Sequence, residues 1–406
     1  MNDTALSDTA LSDTEADLRA RVRAFCTEHD PAATPRAAFL SARFEAGLAA
    51  VHYPVGHGGL GLARSLQRAA EEEFSRAGAP RLDERRNVIG LGMALPTIIA
   101  FGTQEQKTRW LKPLWLGDEI WCQLFSEPGA GSDLAGLATR AVRDGDSGDW
   151  VVNGQKVWTS LAHHARWGLL LARTDPGVPK HAGLSYFVLD MHQPGVEVRP
   201  LRQLTGEAEF NEIFITDARV PDANRLGDIG EGWRVANATL MNERVSIGNS
   251  RSVPREEGVI GAVANTWRQH PELRTHDLHQ RLLGLWAQAE VARLAGERLR
   301  QQLAAGEPGP EGSAGKLTFA RLNQEISGFE IELLGTAGLT YDDWSMRRAG
   351  SSDYARGAGY RYLRSKGNSI EGGTSEIMRN IIAERVLRLP QEPRTDTSLP
   401  WKDLPR

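Results

Sequence analysis

Two short runs of residues combine the side chains and the backbone freedom that a planar ligand needs. Residues 123–133 read Gln-Leu-Phe-Ser-Glu-Pro-Gly-Ala-Gly-Ser-Asp, and residues 158–160 read Trp-Thr-Ser. Gly129 and Gly131 remove side chains from a turn, so a large planar ligand can approach the backbone closely. Serine hydroxyls and peptide N–H groups around them offer hydrogen-bond donors, and the indole of Trp158 offers a flat wall. The two runs therefore predict a pocket for a planar heteroaromatic cofactor.

The two runs lie in a stretch whose hydrophobic pattern differs from the rest of the chain. From Trp121 to about Pro221, short apolar or alternating runs are separated by turn residues, which is typical of β-strands. Helical periodicity precedes this stretch and returns from Gly232 onward. The first residues repeat Ser-Asp-Thr-Ala-Leu units, and such low-complexity sequence favours disorder. A helix is expected to follow, with Asp13 or Thr14 as its N-cap. We therefore expect five segments: a disordered leader (1–14), an N-terminal helical domain (15–120), a middle β domain (121–230), a C-terminal helical domain (231–390) and a tail (391–406).

Several motifs resemble those of the acyl-CoA dehydrogenase family, and they occur along the chain in the same order as in that family. Residues 123–133 are similar to the family's flavin-binding signature, and residues 151–160 are similar to its second flavin strand. The helix before the signature, the exit from the middle domain and the C-terminal flavin motif have counterparts at 101–119, 210–233 and 372–382. The resemblance implies an α+β fold with an N-terminal all-α domain, a middle β-barrel domain and a C-terminal α domain like a four-helix bundle.

The resemblance also implies FAD as the cofactor and assigns residues to the site. Six residues are expected at the pyrimidine edge of the flavin and around its N5 atom: Leu124, Phe125 and Ser126, and Trp158, Thr159 and Ser160. Two residues are expected near the ribityl or adenine portion: Thr374 and Glu376. Three residues are expected to contact the thioester substrate: Ser132, Met241 and Arg244.

Taking hydrogen from two adjacent carbons of an acyl thioester needs a base for the α-proton, a hydride acceptor and donors for the thioester oxygen. Flavin N5 would be the acceptor. The family places its glutamate base just before the Gly-Thr of the C-terminal motif, or before an arginine on the first helix after the β domain. This chain has Gly372 at the first position and Glu243 at the second. Apolar residues at i−7, i−3 and i+4 place Glu243 near an apolar stripe, which suits a general base. Glu243 is the expected base, and Glu371, one residue out of register, is the minor alternative.

Two stretches depart from the family's pattern. The Arg-x-x-Phe-Gly motif, which in the family reaches the flavin pyrophosphate of a neighbouring subunit, is missing from residues 267–273. Arg268, Arg274 and Arg281 are the candidate substitutes. The family's Gln-x-x-Gly-Gly segment reads Glu-Leu-Leu-Gly-Thr at residues 332–336, with a carboxylate in place of an amide. Both changes concern flavin affinity and which subunits complete the site.

Composition argues against several classes of function. The net charge of −4 and the isoelectric point near 6.2 argue against nucleic-acid binding. Cys26 and Cys122 are too few for a disulfide framework or a cysteine metal site, and we expect no metal. No apolar run reaches membrane-spanning length, and residues 1–15 do not resemble a secretory signal. We therefore expect a soluble, cytoplasmic protein.

The resemblance implies an FAD-dependent oxidoreductase of fatty acid metabolism that converts an acyl-CoA or acyl carrier protein thioester to the trans-2-enoyl thioester. An electron-transfer flavoprotein or a similar acceptor would take the electrons, and a homodimer or homotetramer is expected. Two alternatives stay open: a flavin monooxygenase or oxidase of the same superfamily, and a non-catalytic subunit of a heteromeric acyl-CoA dehydrogenase. Acyl chain length and branching are also left open.

Overall fold

Helices form the first part of the molecule. The computed structural model describes residues 8–82, 87–248, 254–305, 310, 312–341, 344–346, 357–393, 396 and 398–404, without the side chains of 8–13, 243–248 and 303–305. In the described part, five α-helices precede the first strand: α1 (Asp8–Glu28), α2 (Arg36–Glu45), α3 (Gln67–Arg76), α4 (Leu95–Phe101) and α5 (Gln104–Leu116). A π-helical turn, Gly90–Ala94, leads into α4.

Helix α1 begins at Asp8, so the expected N-cap at Asp13 or Thr14 is wrong. The predicted disordered leader is helical from Asp8 onward, and residues 1–7 lie outside the described residues. The stretch contains alanine and leucine, which have high helix propensity, and a helix that has nucleated adds further residues at little cost. Composition alone does not separate such a helix end from a disordered segment.

The N-terminal helices pack through aromatic side chains. Phe25, Phe39 and Phe74 meet edge to face, with ring centroids 5.3–6.3 Å apart. The same buried cluster continues into the strands through Trp121 and Tyr186. The helices therefore share one core with a face of the sheet that carries the predicted site.

One sheet forms the middle of the molecule. Its eight strands are β1 (Trp121–Leu124), β2 (Arg140–Arg143), β3 (Trp150–Ser160), β4 (Trp167–Arg173), β5 (Leu184–Asp190), β6 (Val196–Pro200), β7 (Phe210–Val220) and β8 (Arg225–Leu226). The strand order is β6-β7-β3-β2-β4-β5-β8, with β1 pairing against β4. Strands β1 and β2 run parallel to β4, and the other pairs are antiparallel.

The sheet curls around a core of its own. Side chains from β1, β2, β3, β4, β5 and β7 meet in one buried cluster, which includes Leu124, Val152, Leu170, Phe187 and Ile213. Strands from both ends of the strand order can share a cluster only if the sheet bends back on itself. The predicted middle β domain is curled in this way.

Six further helices are described after the sheet: α6 (Gly232–Gly248), α7 (Val259–Gln269), α8 (His276–Ala305), α9 (Gly312–Leu334), α10 (Ala358–Ser365) and α11 (Ser375–Ile381). Helices α7, α8 and α9 share an apolar core that includes Val263, Leu285 and Phe329. Glu330 is fully buried and accepts hydrogen bonds from Arg361 and Thr266, which fixes α10 and α7 against α9. The predicted order of helical, β and helical domains is confirmed. None of the described helices combines the length and the hydrophobicity that a membrane span requires.

Three buried hydroxyls join the three parts of the molecule. Thr239 on α6 lies 2.9 Å from the hydroxyl of Thr97 on α4 and 3.0 Å from that of Tyr186 on β5. Thr97 also donates to the carbonyl of Met93 (2.8 Å). All three hydroxyl-bearing residues are fully buried. Since Thr239 lies one turn before Glu243, this contact fixes the part of α6 that carries the expected base.

Candidate active site

The two predicted runs meet through a backbone hydrogen bond. The N–H of Val157 donates to the carbonyl of Ser126 at 2.9 Å. Leu124 and Phe125 are buried beneath this contact, and Phe125 packs edge to face against Tyr186 with the ring centroids 5.8 Å apart. Ser126 is half-buried beside them. The structure therefore places the end of β1 next to the bend in β3.

Trp158 lies at an irregularity in β3. The pairing of β3 with β7 shifts register between Lys156 and Thr159, and Trp158 has a left-handed φ of 61°. A bulky residue in this backbone region is strained, and such strain is typical of functional sites. The indole is nevertheless 57% exposed, with Phe210 edge-on at 5.8 Å. A large apolar ring held at the surface by a strained backbone is suited to covering a ligand.

The polar groups beside Trp158 suit a flavin. The Thr159 hydroxyl is buried and has no hydrogen-bond partner among the described residues, while its carbonyl accepts from Asn211 at 3.0 Å. A buried hydroxyl without a partner is costly unless a ligand completes it. Ser160 follows, half-buried, at the pairing with Phe210. The acceptor-rich edge of an isoalloxazine would accept a hydrogen bond from the Thr159 hydroxyl.

No backbone angle or contact within the described chain requires glycine at the two glycine positions of the first run. Neither Gly129 nor Gly131 has a positive φ, and a Cβ built at either position would meet no described atom within 4 Å. Ser132 is exposed on the same turn. Close approach of a ligand would account for both glycines.

A buried ion pair lies under the turn and was not predicted from the sequence. The ammonium of Lys156, which is fully buried, donates to Glu127 (2.9 Å) and to the carbonyls of Phe125 (3.0 Å) and Leu171 (2.8 Å). The carboxylate of Glu127 also accepts from the backbone N–H groups of Ala138 (2.7 Å) and Thr139 (2.9 Å). The pair thus ties β1, β3, β4 and the start of β2 together directly beneath the two runs.

The surroundings of the pair shift both pKa values. Burial alone would raise the pKa of Glu127, but the Lys156 ammonium and the hydrogen bonds to the carboxylate hold that pKa below its usual value. Burial lowers the pKa of Lys156, and the attraction of Glu127 opposes that shift. One signal in the sequence could have found the pair. Lys156 stands in the same alternating register as the buried residues Trp150 and Val152, where a lysine needs an acidic partner.

The C-terminal motif holds the alternative base in a hydrogen-bonded cluster. Arg364 donates to both oxygens of Glu371, each at 3.0 Å, and Asn368 donates to one of them at 2.6 Å. Thr374 caps α11 by accepting from the N–H of Ile377 at 3.2 Å. Both carboxylate oxygens of Glu371 are therefore already engaged.

This cluster reaches the strand next to Trp158. Arg364 lies 3.8 Å from Glu209, the residue before Phe210, and Tyr360 donates to Glu207 at 2.6 Å. Glu376 is exposed at the start of α11 and pairs with Arg379. Contacts between α10 and the segment before β7 therefore link the C-terminal motif to the second run.

The substrate candidates lie on two elements. Met241 is 44% exposed on α6. Glu243 and Arg244 follow it on the same helix, and their side chains lie outside the described residues. Helix α6 packs against the π-helical turn Gly90–Ala94 and against β5, so the helix that carries the predicted base contacts both the N-terminal helical part and the sheet.

Comparisons with known proteins place all three parts of the chain in one family. Three domain families match: acyl-CoA dehydrogenase, N-terminal domain (residues 12–118), middle domain (122–218) and C-terminal domain (230–387). The chain is 40% identical over 354 residues to acyl-CoA dehydrogenase IpdE1 of Mycobacterium tuberculosis (strain ATCC 25618 / H37Rv), with 86% of each chain covered.

Two solved structures share the fold. The Tcur3481-Tcur3483 steroid ACAD matches with a TM-score of 0.68 and 26% identity, over 95% of this chain and 99% of that chain. The ChsE4-ChsE5 complex from Mycobacterium tuberculosis matches with a TM-score of 0.66 and 27% identity, over 97% of this chain and 100% of that chain.

Lys156→Met tests the buried pair. The substitution leaves a buried carboxylate without its counter-charge, which typically costs about 3–5 kcal/mol. Urea unfolding of the apoprotein measures this loss. Lys112→Met is the matched control, because Lys112 pairs with Glu45 at the surface and such pairs contribute about 1 kcal/mol or less. Equal losses in the two variants would contradict the assignment.

The same variant has a pH signature. The folded-state pKa of Glu127 lies below the value of 4.5 that is ordinary for a glutamate, so its contribution to stability is present above pH 4.5 and is lost as the pH falls through the folded-state pKa. In Lys156→Met the ammonium no longer opposes burial and only the hydrogen bonds from Ala138 and Thr139 do, so the pKa of Glu127 rises. Acid unfolding followed by circular dichroism should therefore occur at a higher pH than in the wild type.

Proposed function

Because this chain belongs to the acyl-CoA dehydrogenase family of FAD-dependent oxidoreductases, we propose that it converts an acyl-CoA thioester to the trans-2-enoyl thioester with Glu243 as the base. FAD supplies the hydride acceptor when it is bound. The protein's own residues hold the cofactor, orient the thioester and remove the α-proton. An electron-transfer flavoprotein or a similar protein receives the electrons, and turnover with the purified acceptor checks this part.

The state of Glu371 is the observation that carries the choice of base. Its two oxygens accept three hydrogen bonds from Arg364 and Asn368. To take a proton from a substrate, this carboxylate would first have to break some of these hydrogen bonds. Gly372, at the family's C-terminal base position, has no functional group. Glu243 is left as the candidate on a helix that the Thr239 hydroxyl fixes one turn earlier.

The acyl group is expected to lie against α6 and the π-helical turn. Leu91 and Gly92 in that turn are half-buried, and Met241 is exposed on α6. One structural relative is described as a steroid ACAD. A thioester panel for this protein therefore includes steroid-derived acyl-CoA compounds beside straight and branched chains, together with acyl carrier protein thioesters.

Glu243→Gln is the test of the base. The substitution keeps the shape of the side chain but removes its ability to take a proton, so the rate of anaerobic flavin reduction by a thioester should fall by about 10²- to 10⁴-fold. FAD content and thioester binding should persist, because neither needs proton abstraction. Stopped-flow bleaching of the bound flavin measures the rate.

Glu371→Gln is the comparison for this test, and its effect on the reduction rate should be much smaller. The reverse ranking would move the base to the C-terminal motif. Normal reduction in both variants would exclude a glutamate base at either position. A wild-type flavin that no thioester bleaches would favour a monooxygenase or oxidase of the same superfamily, which has no use for this base.

Thr159→Val tests the flavin contact. We expect FAD binding to weaken about 3- to 10-fold, because a hydrogen bond contributes about 0.5–1.5 kcal/mol. The stability of the apoprotein should stay equal or rise, since the variant removes a buried hydroxyl that lacks a partner. Thr216→Val, at an exposed position of β7, is the control. Titration with FAD and urea unfolding give the two readouts, and unchanged FAD affinity would exclude Thr159 from the flavin site.

Assembly would complete the flavin site from a second subunit. Leu283, Val291 and Leu294 form an exposed apolar stripe on α8, which suits a subunit contact. Of the three candidate arginines, Arg281 lines a groove between α8 and α9, where it pairs with Glu332 at 2.5 Å. We assign Arg281 to the pyrophosphate of a flavin held by a neighbouring subunit, in a dimer or tetramer.

Flavin retention on dissociation tests the assembly. If the pyrophosphate is reached from a neighbour, dilution to the monomer should release FAD, and Arg281→Ala should release it at higher protein concentration. Arg268→Ala is the control. Sedimentation with detection at the flavin absorbance gives both quantities. A monomer that retains FAD fully would contradict the shared site. A chain that gains flavin only beside a second family member would support the heteromeric alternative.

A further inference from the structure

A short segment beyond α11 returns to the sheet domain. The N–H groups of Trp401 and Lys402 donate to the carbonyls of Val178 (2.9 Å) and Pro176 (3.1 Å), and Pro400 forms an isolated bridge with Pro179. Together with Asp396, residues 398–404 are called the tail strap below. The sequence predicts only a tail here, whereas the structure places this stretch against the loop between β4 and β5.

Trp401 joins the tail strap to the end of the first run. Its indole N–H donates to the carbonyl of Gly136 at 3.1 Å, and the guanidinium carbon of Arg173 lies 4.3 Å from the centre of its ring. Gly136 belongs to a 3₁₀ turn, Leu134–Gly136, which directly follows Ser132 and Asp133. The indole therefore contacts the turn that begins two residues after the substrate candidate Ser132.

Arg173 holds the same turn from inside. It is 3% exposed, and it donates to the carbonyls of Ala135 (2.6 Å), Leu137 (3.1 Å) and Lys180 (3.1 Å). Burial lowers the pKa of Arg173 to about 10 despite the opposing attraction of nearby carboxylates. Trp401 covers the guanidinium face and so helps to keep water from these hydrogen bonds.

Lys180 makes a second connection. Its ammonium donates to both oxygens of Asp133, at 2.8 and 2.9 Å, and also pairs with Asp396 of the tail strap. Lys180 itself is buried. One lysine thus links the last residue of the first run to the tail strap.

The first run is consequently fixed at both ends. Lys156 holds Glu127 at one end, while Arg173, Lys180 and Trp401 hold the other end. The stretch between them, residues 128–133, is exposed apart from the buried Ala130, and it contains two glycines and Ser132. A glycine-containing stretch has wide backbone freedom, so the position of Ser132 depends on how firmly the two ends are held.

We propose that Trp401, with Arg173 and Lys180, is a positioning residue that holds Ser132 where it receives the thioester. The proposal rests on the proposed function, because the role of Ser132 does. Release of the turn lowers the fraction of molecules that are competent to bind the thioester, and the apparent affinity falls by that fraction. The rate of proton abstraction in the bound complex is unaffected, since Ser132 is already in its binding position once the thioester is bound.

Trp401→Ala in the full chain with bound FAD tests the proposal. The apparent dissociation constant of the thioester should rise about tenfold, while flavin reduction at saturating thioester and FAD content should stay within about twofold of the wild type. Trp401→Phe keeps a ring over Arg173 but loses the indole donor, so its dissociation constant should lie between the two. Lys402→Ala, on the same turn of the tail strap, is the control and should behave as the wild type does.

Amide hydrogen exchange over residues 131–137 gives a readout that does not need turnover. Exchange there should be faster in Trp401→Ala than in the wild type or in Lys402→Ala. Unchanged thioester affinity with unchanged exchange would overturn the proposal, as would loss of FAD or of the fold in both Trp401 variants. If no thioester reduces the wild-type flavin, the proposed function fails. In that case, equal hydrogen-exchange rates over residues 131–137 in all the proteins would separately overturn the proposal that the tail strap positions this stretch.

Discussion

The buried pair of Lys156 and Glu127 is the interaction on which the rest of the site depends. A fully buried ammonium needs several acceptors, and here it finds one carboxylate and two carbonyls, on the end of β1 and on β4. Because removing either charge leaves the other without compensation, the pair allows one arrangement of these strands and penalises others. We infer that its main contribution is to specify where the two predicted runs meet, rather than to increase stability.

The order of domains and the meeting of the two runs could be predicted from the sequence, because periodicity and motif order are local properties. The bend at Trp158 could not be predicted. Its left-handed backbone arises where β3 shifts register against β7, and the register of a strand depends on a partner more than fifty residues away in the chain. The hydrogen bonds of Glu371 depend in the same way on a turn of the backbone that residue spacing does not specify.

Contacts between distant residues account for most of what the sequence did not predict. Trp401 and Gly136 are separated by 265 positions, and the Pro-rich stretch around Trp401 reads as a polar tail. Lys156 and Glu127 both stand inside recognised motifs, where only the alternation of Lys156 with Trp150 and Val152 indicates burial and nothing identifies the partner. In both cases the role of the side chain depends on a second segment of the chain that packs over it, and composition does not identify that segment.

The contact of Thr97, Thr239 and Tyr186 bears on how the molecule can move. Each hydroxyl has one proton to give, so the three can be ordered in one direction, from Tyr186 to Thr239 to Thr97 and on to the carbonyl of Met93. Moving β5 away from α6 would leave the buried Tyr186 hydroxyl without its acceptor, whereas Thr239 can also donate to the carbonyl of Val235 on its own helix at 3.1 Å. The sheet and α6 are therefore coupled at this point, and hinge motion that admits a substrate is easier between other pairs of elements.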